Sequence, residues 1–118
     1  MACVFCQIVD RQSPATIVCE NDGYIAFFDI HPDSPGHILL IPKAHAEDAF
    51  LLPEADYLKL MQATYTLVNK MKQVFACERI IQKIVGIDVP HIHVHLLPFK
   101  SDVATRLTKD EIVKLFQG

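Results

Sequence analysis

A chain of 118 residues is one ordinary domain, read as a single unit over 1–118, and with 51% hydrophobic residues it can build a core without staples. Eleven Lys and Arg against fourteen Asp and Glu give a net charge of −3. That balance supplies no basic field for a phosphate backbone, which argues against nucleic acid as a partner but leaves a single nucleotide open.

The N-terminus shows no basic flank and apolar core, so no signal peptide is expected. No apolar run approaches the roughly 18 residues of a membrane span. Of the four cysteines, Cys3 and Cys6 stand too close for a typical structural bridge. They read as half a metal site or as a redox pair. A reducing, cytoplasmic compartment follows.

Two strands, Thr16 to Cys19 and Tyr24 to Asp29, flank a turn at Asn21-Asp22-Gly23. The segment His31-Pro32-Asp33-Ser34-Pro35-Gly36 is broken by its prolines and glycine. His37 to Ile41 then forms a strand so solidly apolar that both its faces should be covered. Pro53-Glu54 opens a long helix. Its apolar stripe is Tyr57, Leu60, Met61, Leu67, Val68, Met71, Val74 and Phe75. Strands are predicted over Arg79 to Val85 and Val89 to Leu97, joined by Gly86-Ile87-Asp88. Thr108 and Glu111 match a capping box before a short helix, Ile112 to Phe116. The fold class is α+β: a mainly antiparallel five-stranded sheet, a long central helix and a short C-terminal helix.

Three of the six histidines stand at His91, His93 and His95. On a strand, alternate side chains share a face, so the three rings line one side and Ile92, Val94 and Leu96 the other. Such a row serves metal binding by neutral imidazoles, or phosphorus chemistry in which one ring attacks and its neighbours move protons. The plain alternative is three exposed polar positions on a half-buried strand.

The block His91-Ile-His-Val-His-Leu-Leu97 resembles the signature of the histidine triad superfamily. So do Cys3-Val-Phe-Cys-Gln-Ile-Val9, Ala26-Phe-Phe-Asp-Ile30, Pro35-Gly-His-Ile-Leu-Leu-Ile-Pro-Lys43 and His45, in the same order. The resemblance is to the histidine triad nucleotide-binding branch, whose members are usually homodimers. It implies an enzyme, a phosphoramidase or nucleotide hydrolase. His93 would attack the α-phosphorus of a nucleotide conjugate and form a nucleotidyl-histidine, from which water releases the nucleoside monophosphate. His91, His93 and His95 with His37 form the implied catalytic set, His95 assisting proton transfer and His37 fixing ring tautomers. Phe5, Ile8, Phe27 and Ile30 match the purine slot, Asp29 the ribose acid, and Asp88 a position near the leaving group. Phe27 and Ile30 could equally be core, and Asp29 could merely start a turn. Cys3, Cys6, His45 and His91 match a structural zinc set. No organic cofactor is implied.

The chain departs from this pattern before the triad. Gly86 is kept, but Ile87 stands where glutamine is common, and no Asn-rich loop precedes it. Rate and substrate are more affected than fold. Competing functions are a dinucleoside polyphosphate hydrolase, a binding module with little turnover, and a metal-dependent hydrolase using the histidine row as ligands.

Overall fold

The computed structural model describes residues 3–84 and 89–118. Five strands form one antiparallel sheet in the order β1-β2-β3-β5-β4. They are β1 Ile17–Glu20, β2 Tyr24–Phe28, β3 Ile38–Pro42, β4 Ile80–Ile84 and β5 Val94–Pro98. The helices are α1 Val4–Val9, α2 Glu54–Val74, α3 Asp102–Arg106 and α4 Lys109–Gln117.

The apolar run of β3 is buried on both sides, as expected. Ile38 and Leu40 join a core with Ala26, Phe28, Val94 and Leu96, under Leu60, Leu67 and Met71 of α2 and Ile112 and Phe116 of α4. Leu39 and Ile41 face the other way and meet Ile25, Phe27, Phe5 and Ile8. The larger core therefore lies under the long helix, and the smaller one lies under α1. Burying a large apolar side chain is worth about 1.5–3 kcal/mol, so both layers stabilise the sheet.

Local chemistry explains the turns and ends. In the β1–β2 turn, the Asn21 carboxamide oxygen accepts from the Gly23 and Tyr24 N–H groups, each at 2.9 Å. The turn is thus held by the asparagine side chain, and Gly23 contributes its N–H without adopting a positive φ. Pro53 occupies the N-cap of α2, just before the first helical residue. The capping box of Thr108 and Glu111 is present, and α4 runs a turn longer than its apolar residues indicate. Two short helices carried too little periodic pattern to be seen in the sequence: α1 has six residues and α3 five.

One strand differs from expectation. Pairing of β5 begins at Val94, so His91 and His93 precede the ladder. Pro90 has no N–H to give. The backbone beyond it finds other partners: Ile92 N–H donates to the Ala46 carbonyl at 2.7 Å, and His91 N–H to Val89 at 2.8 Å. The alternation of faces survives, since Ile92, Val94 and Leu96 enter the larger core. The end of the predicted strand at Val85, the glycine Gly86 and the candidate Asp88 lie outside the described residues. No helix among the described residues is long and apolar enough to cross a membrane.

Candidate active site and metal centre

The sheet face under α1 carries a cleft of about 780 Å³. Phe5 and Ile8 stand three residues apart on α1 and form one wall. Phe27 and Leu39 form the floor, and Asp29, Ile30, His37, His93 and His95 close the rest. The structure thus brings Phe5, Ile8, Phe27, Asp29 and Ile30 together with three of the four proposed catalytic histidines. Phe27 is both floor and core, at 3% exposure, whereas Ile30 is 72% exposed at the rim. Asp29 does start the following turn, its Oδ1 accepting from His31 N–H at 2.9 Å. Its Oδ2 stays beside His37 Nε2, at 3.6 Å.

The histidines form a directed chain. The Asp33 backbone N–H donates to His37 Nδ1 at 3.1 Å. A neutral His37 therefore carries its proton on Nε2, which lies 2.9 Å from His95 Nδ1. His37 donates and His95 accepts, so the proton of His95 sits on Nε2. His93 Nδ1–H donates to the His91 carbonyl at 2.7 Å, which puts its lone pair on Nε2. The His93 ring lies 4.9 Å from that of His95 and 5.0 Å from Phe5, centroid to centroid. Burial pushes the pKa of His37 down, against the pull of Asp29 and Asp33. Burial also pushes His95 down, reinforced by His93, His37 and Lys83. Burial thus favours the neutral form of both rings.

The fourth histidine belongs to a second cluster. Cys3 and Cys6 bracket the first turn of α1, Cys3 as its N-cap. Cys3 Sγ lies 3.4 Å from His91 Nδ1, Cys6 Sγ lies 3.5 Å from the same atom, and Cys6 Sγ lies 3.3 Å from His45 Nδ1. All four donor atoms fall within 4.8 Å of one another. A tetrahedral zinc with Zn–S of about 2.3 Å and Zn–N of about 2.0 Å needs S···N edges of about 3.5 Å. His91 Nε2–H donates to the Pro42 carbonyl at 2.8 Å, so Nδ1 offers its lone pair to that centre. The donor set fits a closed Cys2His2 zinc site.

Asp29, His37 and His95 are also close enough to suggest a metal. Their protons argue otherwise. A metal on His37 Nε2 would force the proton onto Nδ1, where it would face the Asp33 N–H. The hydrogen bonds of this group suit neutral imidazoles in series better than a bound ion.

Sequence reading missed His31, Asp33 and Lys83, all of which line the cleft. Lys83 was findable: the β4–β5 register places it directly opposite His95.

The HIT domain sequence model matches residues 10–102, most of the chain. The chain belongs to the histidine triad family. This histidine triad protein is 28% identical to an uncharacterised HIT-like protein of Methanocaldococcus jannaschii, over 98% of this chain and 99% of that one. It is 33% identical to the adenosine 5'-monophosphoramidase of Schizosaccharomyces pombe, over 83% of this chain and 74% of that one. Among solved structures it resembles a zinc-bound histidine triad family protein from Mycobacterium smegmatis. That match has a TM-score of 0.80 and 26% identity, and covers 99% of this chain and 91% of that one. The α+β fold is therefore that of a family that includes hydrolases.

Proposed function

We propose that this histidine triad protein belongs to the nucleotide-binding branch and cleaves nucleotide conjugates at the α-phosphorus. The observation that carries the reading is the hydrogen bond from His93 Nδ1–H to the His91 carbonyl, which presents Nε2 as a nucleophile beside the cleft. His93 Nε2 bonds to phosphorus and the bond to the leaving group breaks. An amine leaving group takes the Nε2 proton of His95. Water then attacks phosphorus, returns a proton to His95 and frees His93, releasing the nucleoside monophosphate. Phe5, Ile8, Phe27 and Ile30 grip a purine, and Asp29 accepts from the ribose hydroxyls. The candidate Asp88 adds no step here.

Zinc at Cys3, Cys6, His45 and His91 would tie α1 to the triad segment as a structural ion. The zinc-bound relative supports this reading, as the fungal phosphoramidase supports the activity. A homodimer is part of the same proposal; Leu58 and Tyr65 on α2 and Ile81 on β4 are exposed groups it could cover. Four free thiols fit a reducing cytoplasm.

The test is an adenosine phosphoramidate bearing a fluorescent amine, incubated with the parent and with His93→Ala. The parent should release the amine, and the variant should lose about 10⁴-fold or more while still binding AMP. A parent that binds AMP without turnover would make this chain a binding module instead.

A further inference from the structure

The cleft holds two carboxylates, Asp29 and Asp33, and its histidines line it as neutral donors and acceptors. Among the described lining residues, Lys83 is the sole lysine or arginine. A neutral imidazole can move a proton, but it cannot balance several phosphate charges. Sheet order fixes where the ammonium stands. The base slot lies over β2 and β3, His95 lies on β5, and Lys83 lies on β4 beyond it. Going across the sheet, the order is slot, proton donor, cation. Lys83 Nζ is held at the mouth by Asp33 Oδ2 at 3.0 Å, with both side chains about half exposed. Such an exposed pair contributes little, so an incoming phosphate displaces Asp33 readily.

We propose that Lys83 is a specificity-determining residue that receives the negative charge of the leaving group and favours phosphoanhydride-linked conjugates over neutral amines. This rests on the proposed function and deepens it by naming the leaving group. His93 Nε2 bonds to the α-phosphorus, the phosphorus–oxygen bond breaks, and its electron pair stays on the departing phosphate oxygen beside Lys83. No proton is needed in that step. With an amine leaving group the departing nitrogen takes the His95 proton and leaves uncharged, so Lys83 gains nothing to bind.

The experiment compares the parent, Lys83→Met and Lys83→Arg on diadenosine triphosphate and on an adenosine phosphoramidate with a neutral amine. A contact to a charged group is worth about tenfold or more. Lys83→Met should therefore lower kcat/KM for the triphosphate about tenfold or more and change the phosphoramidate by less than about threefold. Lys83→Arg should retain the preference, and added salt should erode it. Equal losses on both substrates, or no loss on either, overturn the proposal. Binding is measured in parallel in the His93→Ala background. There Lys83→Met should weaken the triphosphate about tenfold and AMP much less. An inactive parent refutes the enzyme reading, while this binding pair still decides the role of Lys83.

Discussion

Two clusters lie on the same face of the sheet and make contacts of similar length, yet their donor atoms are arranged in opposite ways. In the cluster of Cys3, Cys6, His45 and His91, the donor atoms converge on one point. The Pro42 carbonyl takes the outer proton of His91, so its inner nitrogen carries a lone pair. In the relay of His37 and His95, the Asp33 N–H enters at one end and donors alternate with acceptors. Convergence of lone pairs suits a cation, and alternation suits the passage of protons. A single backbone group at the edge of each cluster, a carbonyl in one and an N–H in the other, sets the difference.

The relay offers the sharpest test. His95→Ala should slow release of an amine leaving group by about 10²–10⁴-fold and leave zinc content unchanged. With a phosphate leaving group the loss should be far smaller, because that group departs without a proton. Equal losses would mean that His95 positions rather than donates.

The convergent cluster is tested by metal analysis. The parent should carry one zinc per chain and Cys3→Ser with Cys6→Ser none. At a metal concentration about 1,000-fold above Kd, the ion stabilises by about 4 kcal/mol, so the double variant should melt at a lower temperature than the parent. AMP affinity should fall as well, because Phe5 stands between the two cysteines and faces His93. Unchanged stability would remove the ion from the fold.

The relay also dictates a pH dependence. His37 and His95 have folded pKa values below the ordinary 6.5, so the unfolded chain gains protons first as pH falls. Their contribution to stability is complete above about pH 6.5 and drains as pH drops through the lower folded values. Asp29 and Asp33 oppose the shift and Lys83 adds to it, but burial dominates. Thermal melts across this range should show the parent losing its advantage over His37→Asn at acid pH; parallel curves would contradict the neutral relay.

Thr108→Ala is the mildest change. It removes a cap that touches neither cluster and should cost about 1 kcal/mol with turnover intact.

Legibility followed the range of each signal. The apolar strand β3, the stripe of α2 and the Thr108–Glu111 cap are local patterns, and they could be read directly. The four-member thiol and imidazole set came from resemblance, since Cys3 and His91 are brought together only by the way α1 lies on the sheet. Asp33 acts through its backbone N–H, and no side-chain pattern announces that. Lys83 is visible once β4 and β5 are paired in register.

Gly36 has a reach beyond its turn. Its φ is +82°, and a Cβ there would stand 3.0 Å from Ala104 Cβ and from Pro98 Cγ and 3.1 Å from the Phe75 ring. The segment bearing Asp33 and His37 is therefore seated against the end of α2, the end of β5 and α3. Ser101 bolts the seat, its hydroxyl donating to the Phe75 carbonyl at 2.6 Å and accepting from Ala104 N–H at 3.1 Å. For an engineer, this makes the 98–104 segment a remote adjustment screw: shims placed there would move the segment bearing His37 without altering any residue that lines the cleft.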